Sequence, residues 1–151
     1  MSMRLTLAAA AGAAFLAAAP SHAQAPAFKE QDCKPPIQGQ GNYPGPYVFN
    51  YDTGKSDVTA EHKKVLADVA KNAKGYYVTR ICLLGRADKQ GNKASNEALA
   101  KKRAENLKAE LVKLGVKAST MQTLAVGEGY GDAIPGFKSQ QDRVVQVLLV
   151  K

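Results

Sequence analysis

The sequence predicts a two-layer α/β sandwich: a strand-helix-strand-helix-strand-strand order with both helices on one face of a mixed sheet. Three observations carry this expectation. Apolar residues recur at helical spacing over about 59–74 and 95–114, β-branched and aromatic residues fill the short segments around them, and Gly or Pro punctuates the junctions. The 151 residues are 45% hydrophobic and 23% charged, with no Trp. That composition suits one modest core and is too apolar for a disordered basic tail.

The amino terminus reads separately from the rest. Residues 1–23 hold Arg4, an Ala/Leu-rich run from Leu5 to Ala19, and then Pro20-Ser21-His22-Ala23, the pattern of a secretory signal peptide cut after Ala23. The run is shorter than the roughly 20 apolar residues a membrane span needs, no later stretch could cross a bilayer, and no Cys stands directly after the run to accept a lipid. Export to the periplasm is therefore expected, without a transmembrane segment. Residues 24–46, with Pro26, Pro35, Pro36, Pro44 and Pro46, read as an extended leader, and 47–151 as the domain. In an oxidising compartment Cys33 and Cys82 can pair in one way only; the alternative is an exposed thiol at Cys33 and a buried one at Cys82.

Tyr47 to Tyr51 alternates as a short strand. The turn Asp52–Asp57 offers Ser56, Asp57 or Thr59 as a cap for a helix over 59–74, in which Val65, Leu66, Val69 and Ala73 form the apolar stripe and Gly75 the stop. His62, near that stripe, reads as packed or half-exposed and not as a ligand. Tyr76 to Leu84 is the strongest strand, with Tyr77, Ile81 and Leu83 on one face and Val78, Arg80 and Cys82 on the other. A bridge at Cys82 would draw the leader across the face the helices leave open. A long helix over 95–114 stops at Gly115; Met121–Val126 and Arg143–Val150 are the last strands, separated by a Gly/Pro-containing loop over 127–141.

One residue breaks the pattern of the long helix. At about 100° per residue, Asn96, Leu99, Ala100, Leu107, Leu111 and Leu114 share one arc, and Arg103 falls in the middle of it. A guanidinium facing the core is costly unless an anion meets it. Asp88, in the preceding loop, is the nearest candidate. Either Arg103 and Asp88 form a structural pair, or Arg103 reaches out to solvent, or the two charges line a cleft that grips a ligand carrying an ammonium and a carboxylate.

Arg86 to Ala104, RADKQGNKASNEALAKKRA, resembles the signature of the OmpA-like C-terminal domain, T-D-x-x-G-x-x-x-x-N-x-x-L-S-x-x-R-A, with Asp88, Gly91, Asn96, Leu99, Arg103 and Ala104 at matching spacing. Tyr47–Asp52 is similar to the family's first strand, Gly129-Tyr130-Gly131-Asp132 with Pro135 to its G-Y-G-E-x-x-P loop, and Arg143-Val144 to its N-R-R-V strand entry. The family is the peptidoglycan-binding module shared with peptidoglycan-associated lipoprotein and flagellar stators. The resemblance implies that Asp88 and Arg103 hold the zwitterionic end of diaminopimelate in the stem peptide, a carboxylate meeting the ammonium and a planar guanidinium the carboxylate. It implies that Asn96 supports the loop or donates to the ligand and that Leu99 packs beneath. Arg86 and Arg143 are rim candidates. Departures are Arg86-Ala87 for the family's H-T, Ala100 for its Ser, Gln141-Asp142 for its N-R, and a short loop after Pro135.

The expected function is non-catalytic binding of peptidoglycan in the periplasm of a Gram-negative envelope, with no cofactor and no metal. The alternative is a degenerate domain that binds another envelope protein, such as one of the outer membrane. Beyond the signal peptide there is one His and no Ser-His-acid set, so an enzyme is not expected. Gly127–Asp132 superficially suggests a phosphate loop but leads to Ile134-Pro135-Gly136 instead of opening a helix. The formal charge of +8 suits a polyanionic neighbourhood, yet its lysines are dispersed over helix exteriors, which argues against nucleic acid.

Overall fold

The computed structural model describes residues 33, 43–76, 78–86, 92–126 and 143–150. The expected signal peptide, most of the leader, Asp88 and the 127–141 loop lie outside the described residues. The elements run β1 (Tyr47–Asn50), α1 (Ala60–Gly75), β2 (Arg80–Arg86), α2 (Lys93–Lys113), β3 (Met121–Val126) and β4 (Val144–Val150), with a 3₁₀ turn at Ala118–Thr120 before β3. No helix among the described residues is long and apolar enough to cross a membrane.

Local chemistry sets the helix ends. Thr59 caps α1 with its hydroxyl accepting from the His62 N–H at 3.2 Å, and Asn92 caps α2 by accepting from the Ser95 N–H at 3.1 Å. At the far end of α2 the N–H groups of Gly115 and Val116 return to the carbonyls of Val112 and Leu111, with Gly115 at φ +86°. This is a Schellman motif, and its left-handed position is why a glycine stops this helix.

The strands form one mixed sheet in the order β1-β4-β2-β3. β4 is antiparallel to both neighbours, with Val147 opposite Tyr47 and Leu83. β2 and β3 run parallel, Ile81 opposite Met121, as a crossover through a helix allows. Leu66, Val69 and Ala70 of α1 and Ala104, Leu107 and Leu111 of α2 pack with Phe49, Ile81, Leu83, Val145, Val147 and Leu149. Both helices therefore lie on one sheet face, as the sequence predicts.

The other face carries a second cluster of Cys33, Cys82, Leu84, Leu148 and Val150, all fully buried. Cys33 and Cys82 are joined by a disulfide, with Cα atoms 5.5 Å apart. Because both faces are covered, β4 is buried along its whole length, whereas the sequence shows an alternating strand.

Two expectations need correction. β2 begins at Arg80, not Tyr76: Tyr76 ends α1, its N–H reaching the Asn72 carbonyl, and Thr79 is the first residue to meet β4, at Val150. Val78 consequently packs on the helix-side core and not on the opposite face. Leu114 is 39% exposed, because it caps α2 beyond the last residue of the buried stripe.

At Gly85 the backbones of β2 and α2 come into close contact. A Cβ there would lie 2.8 Å from the carbonyl carbon of Ala100 and closer still to its oxygen. Backbone, not a flexible side chain, would have to yield. Gly85→Ala is expected to cost about 2–3 kcal/mol by overpacking, read as a fall in urea midpoint at unchanged m-value.

Candidate functional site

After β1 the chain reverses at Asp52–Lys55. The Lys55 N–H donates to the Asp52 carbonyl at 3.1 Å, and Gly54 supplies φ +70° at the position where a type II turn needs it. Tyr51 extends the ladder, its N–H donating to the Arg143 carbonyl at 2.9 Å.

Arg103 explains how this turn is held. Its side chain is 2% exposed, yet the acceptors it meets include neutral backbone: Nε donates to the Lys55 carbonyl at 2.7 Å and Nη2 to the Asp52 carbonyl at 3.0 Å. The guanidinium also sits over the Tyr51 ring, 4.9 Å from its centroid, a cation–π contact strengthened by burial. One turn further along α2, Asn106 Nδ2 donates to the Ser56 carbonyl at 2.7 Å. One face of α2 thus fastens the β1–α1 turn in two places. An inward-facing guanidinium does not require an acid group alone; oriented carbonyl dipoles and an aromatic face compensate for lost water as well.

In front of this turn lies a cleft of about 510 Å³ whose walls include Tyr51, Asp52, Lys55, Asp57, His62 and Arg143. Two acidic and two basic residues therefore contribute to the walls of one concavity, a composition suited to a ligand that carries both signs of charge. His62 is 7% exposed and serves the fold. Its Nδ1 accepts from the Thr59 N–H at 3.4 Å, closing a capping box, and its Nε2 lies 2.8 Å from the Asn50 carbonyl. These partners assign the Nε2–H tautomer, and the ring packs on Phe49 and Tyr51.

Of the residues singled out from the sequence, Arg103 stands behind the cleft wall and Arg143 lines it. Arg86 is half-buried at the end of β2, and Asn96 and Leu99 are half-buried in the first two turns of α2. Asp88 lies outside the described residues. Sequence reading missed Tyr51, Asp52, Lys55 and Asp57 as cleft residues. The available signal was the core-facing Arg103 itself, which demands acceptors from whatever segment packs against it.

Tyr51 carries an unmet requirement: its hydroxyl is buried without a hydrogen-bond partner. Burial pushes the phenol well above its ordinary value, against a smaller opposing pull from Arg103. The unfolded chain therefore loses this proton first, so the stability the group supplies is complete below about pH 10 and declines above it. Tyr51→Phe keeps the ring under Arg103 and removes the orphan hydroxyl. It is expected to be neutral or stabilising by about 1 kcal/mol at pH 7 and to lose less stability on alkaline titration, measured by urea midpoints at about pH 7 and about pH 11.

Comparison with known proteins agrees with this architecture. The OmpA family model matches residues 50–145. Outer membrane protein A of Bordetella avium is 32% identical over 100 residues, 64% of this chain and 50% of that protein. An outer membrane protein of Gluconacetobacter diazotrophicus is 27% identical over 111 residues, 68% of this chain and 29% of that protein. The chain thus spans half or less of the length of these curated relatives. Among solved structures, the peptidoglycan-associated lipoprotein from Burkholderia pseudomallei shares the fold with a TM-score of 0.58 at 24% identity, covering 69% of this chain and 89% of that one. The C-terminal domain of Helicobacter pylori MotB gives a TM-score of 0.58 at 16% identity, covering 71% and 86%. With a matched segment that runs from the last residue of β1 into β4 and takes in both helices, the chain belongs to the OmpA family.

Proposed function

We propose that this protein binds peptidoglycan without catalysis in the periplasm, gripping the diaminopimelate of the stem peptide with Asp88 and Arg103. The observation that supports this reading most is Arg103. It occupies the arginine position of the family signature and is locked between α2 and the β1–α1 turn, beside a cleft lined by both signs of charge. Such locking fixes the β1–α1 turn that forms the cleft wall, so that the wall is ordered before a charged ligand arrives. Asn96 and Leu99 would hold the loop and helix beneath the ligand, with Arg86 and Arg143 at the rim. The names of the relatives are in keeping with an envelope location.

A second reading has one observation in its favour: Arg103 donates to two backbone carbonyls of its own chain. In that reading the charge serves the fold, and the domain is an accessory protein that binds another envelope protein. Co-sedimentation with purified peptidoglycan separates the two, using wild type and Asp88→Asn, with melting curves for both. Wall binding weakened about tenfold or more at unchanged melting, as loss of a charged hydrogen bond predicts, together with competition by free diaminopimelate, supports the grip. Wild type that stays in the supernatant ends the wall-binding reading, and Asp88→Asn at full affinity ends the role of that residue.

A further inference from the structure

The end of the domain opposite the β1–α1 turn gathers features that wall binding leaves unused. α1 and α2 both terminate there, and Lys74 Nζ donates to the Leu114 carbonyl at 3.1 Å, tying the two helix ends together. Among the described residues, the large apolar side chains left exposed are Tyr76, Val112 and Leu114, at 47%, 44% and 39%. All three sit in or just past a last helical turn. Single exposed apolar residues need no explanation; here Tyr76 and Leu114 belong to the two chain ends that Lys74 ties together, so their exposure is concentrated at one place.

The same two segments, 71–80 and 110–121, expose Lys71, Lys74, Lys113 and Lys117 against one acid, Glu110. Lys113 already neutralises that acid at 2.6 Å. Helix C-termini present carbonyl oxygens and would by themselves repel an anionic surface. Here the Schellman turn at Gly115 and the Lys74 ammonium occupy carbonyls of the last turn of α2 and its cap. Between the helix ends lies a cavity of about 390 Å³ with Val78, Ile81 and Val116 in its lining and Lys74 and Lys117 beside them.

We propose that this end docks on the surface of an anionic phospholipid bilayer, with Tyr76 and Leu114 entering the headgroup layer and the lysines meeting the phosphates. The chemistry favours lipid over protein. Lysine is depleted in protein–protein interfaces, whereas long lysine stems and a tyrosine with an apolar body and polar tip suit a boundary that is apolar on one side and wet on the other. Clustered cations also gain most at a surface of fixed negative charge. A domain held this way stands with its charged cleft facing away from the membrane.

Flotation of the protein recovered from the periplasm tests this, with vesicles of phosphatidylcholine alone and of phosphatidylcholine mixed with phosphatidylglycerol. Wild type is expected to float with the anionic vesicles only and to be released by high salt. Lys71→Glu with Lys117→Glu is expected to weaken partitioning roughly twentyfold or more. Lys101→Glu with Lys102→Glu, an equal charge change on the exposed middle of α2, is expected to weaken it far less. Tyr76→Ser with Leu114→Ser is expected to weaken it without a change of charge. All these residues are exposed, so melting curves stay near wild type. Wild type that never floats, equal losses from both charge pairs, or a dimer in sedimentation velocity that Tyr76→Ser abolishes would overturn the proposal. Wall co-sedimentation of the end-patch variants is expected to stay at the wild-type level, so this inference and the peptidoglycan reading fail separately.

Discussion

Arg103→Met is expected to lower stability by about 3 kcal/mol, because it strips charge-assisted donors from the Asp52 and Lys55 carbonyls and removes the cation from the Tyr51 ring. Methionine keeps most of the buried stem, so cavity formation contributes little. For a domain of this size the melting temperature is expected to fall by roughly 10 °C. Arg103→Lys provides the contrast. Lysine retains the charge and reaches one carbonyl, but has no planar fork with which to bridge two; about half of the lost stability should return. Recovery by Lys to the wild-type level would show that charge alone matters here and that the fork across the turn does not. Thermal melts and peptidoglycan co-sedimentation on the same preparations separate the structural share of this residue from the binding role proposed for it.

Removing the disulfide is expected to have an effect of similar or larger size. Cys33 and Cys82 are 49 residues apart, and the loop they close carries about 4 kcal/mol of unfolded-state entropy in the chain-entropy model. A second consequence is local. Cys33 belongs to the cluster with Cys82, Leu84, Leu148 and Val150, so releasing it loosens the cover over an apolar sheet face. Cys33→Ala with Cys82→Ala should lower the urea midpoint and increase binding of a hydrophobic dye. Wild type held in reductant should converge on the variant. If the reduced and oxidised proteins unfold at the same midpoint, the bridge is not a stabilising element.

Much of this architecture was legible from local patterns, because the rules that form helices and caps act within a few residues. The stripe of α2 put Arg103 inward from rotation per residue alone, and the structure buries it. Gly115 stopped that helix as its position suggested. The cysteine pairing was legible because two cysteines allow one connectivity. Strand edges were less so: residues 76–79 have strand-like side chains, but the end of α1 and the reach of β4 determine where β2 starts.

The amino-acid order alone settled which face of each helix is apolar, where the helices end, the family signature, and the presence of an inward cation with a need to be met. Tertiary structure decided what meets it. The two carbonyls that accept from Arg103 lie 48 and 51 residues away, and a backbone carbonyl is the same group at every position, so nothing in the string of residues marks those two as partners. The same holds for Gly85, whose need for a bare Cα comes from Ala100 passing overhead, and for β4, whose Leu148 and Val150 are buried on the second face in a cluster with the distant Cys33. Periodicity reports what a segment requires of its surroundings; only the packed chain shows which surroundings answer.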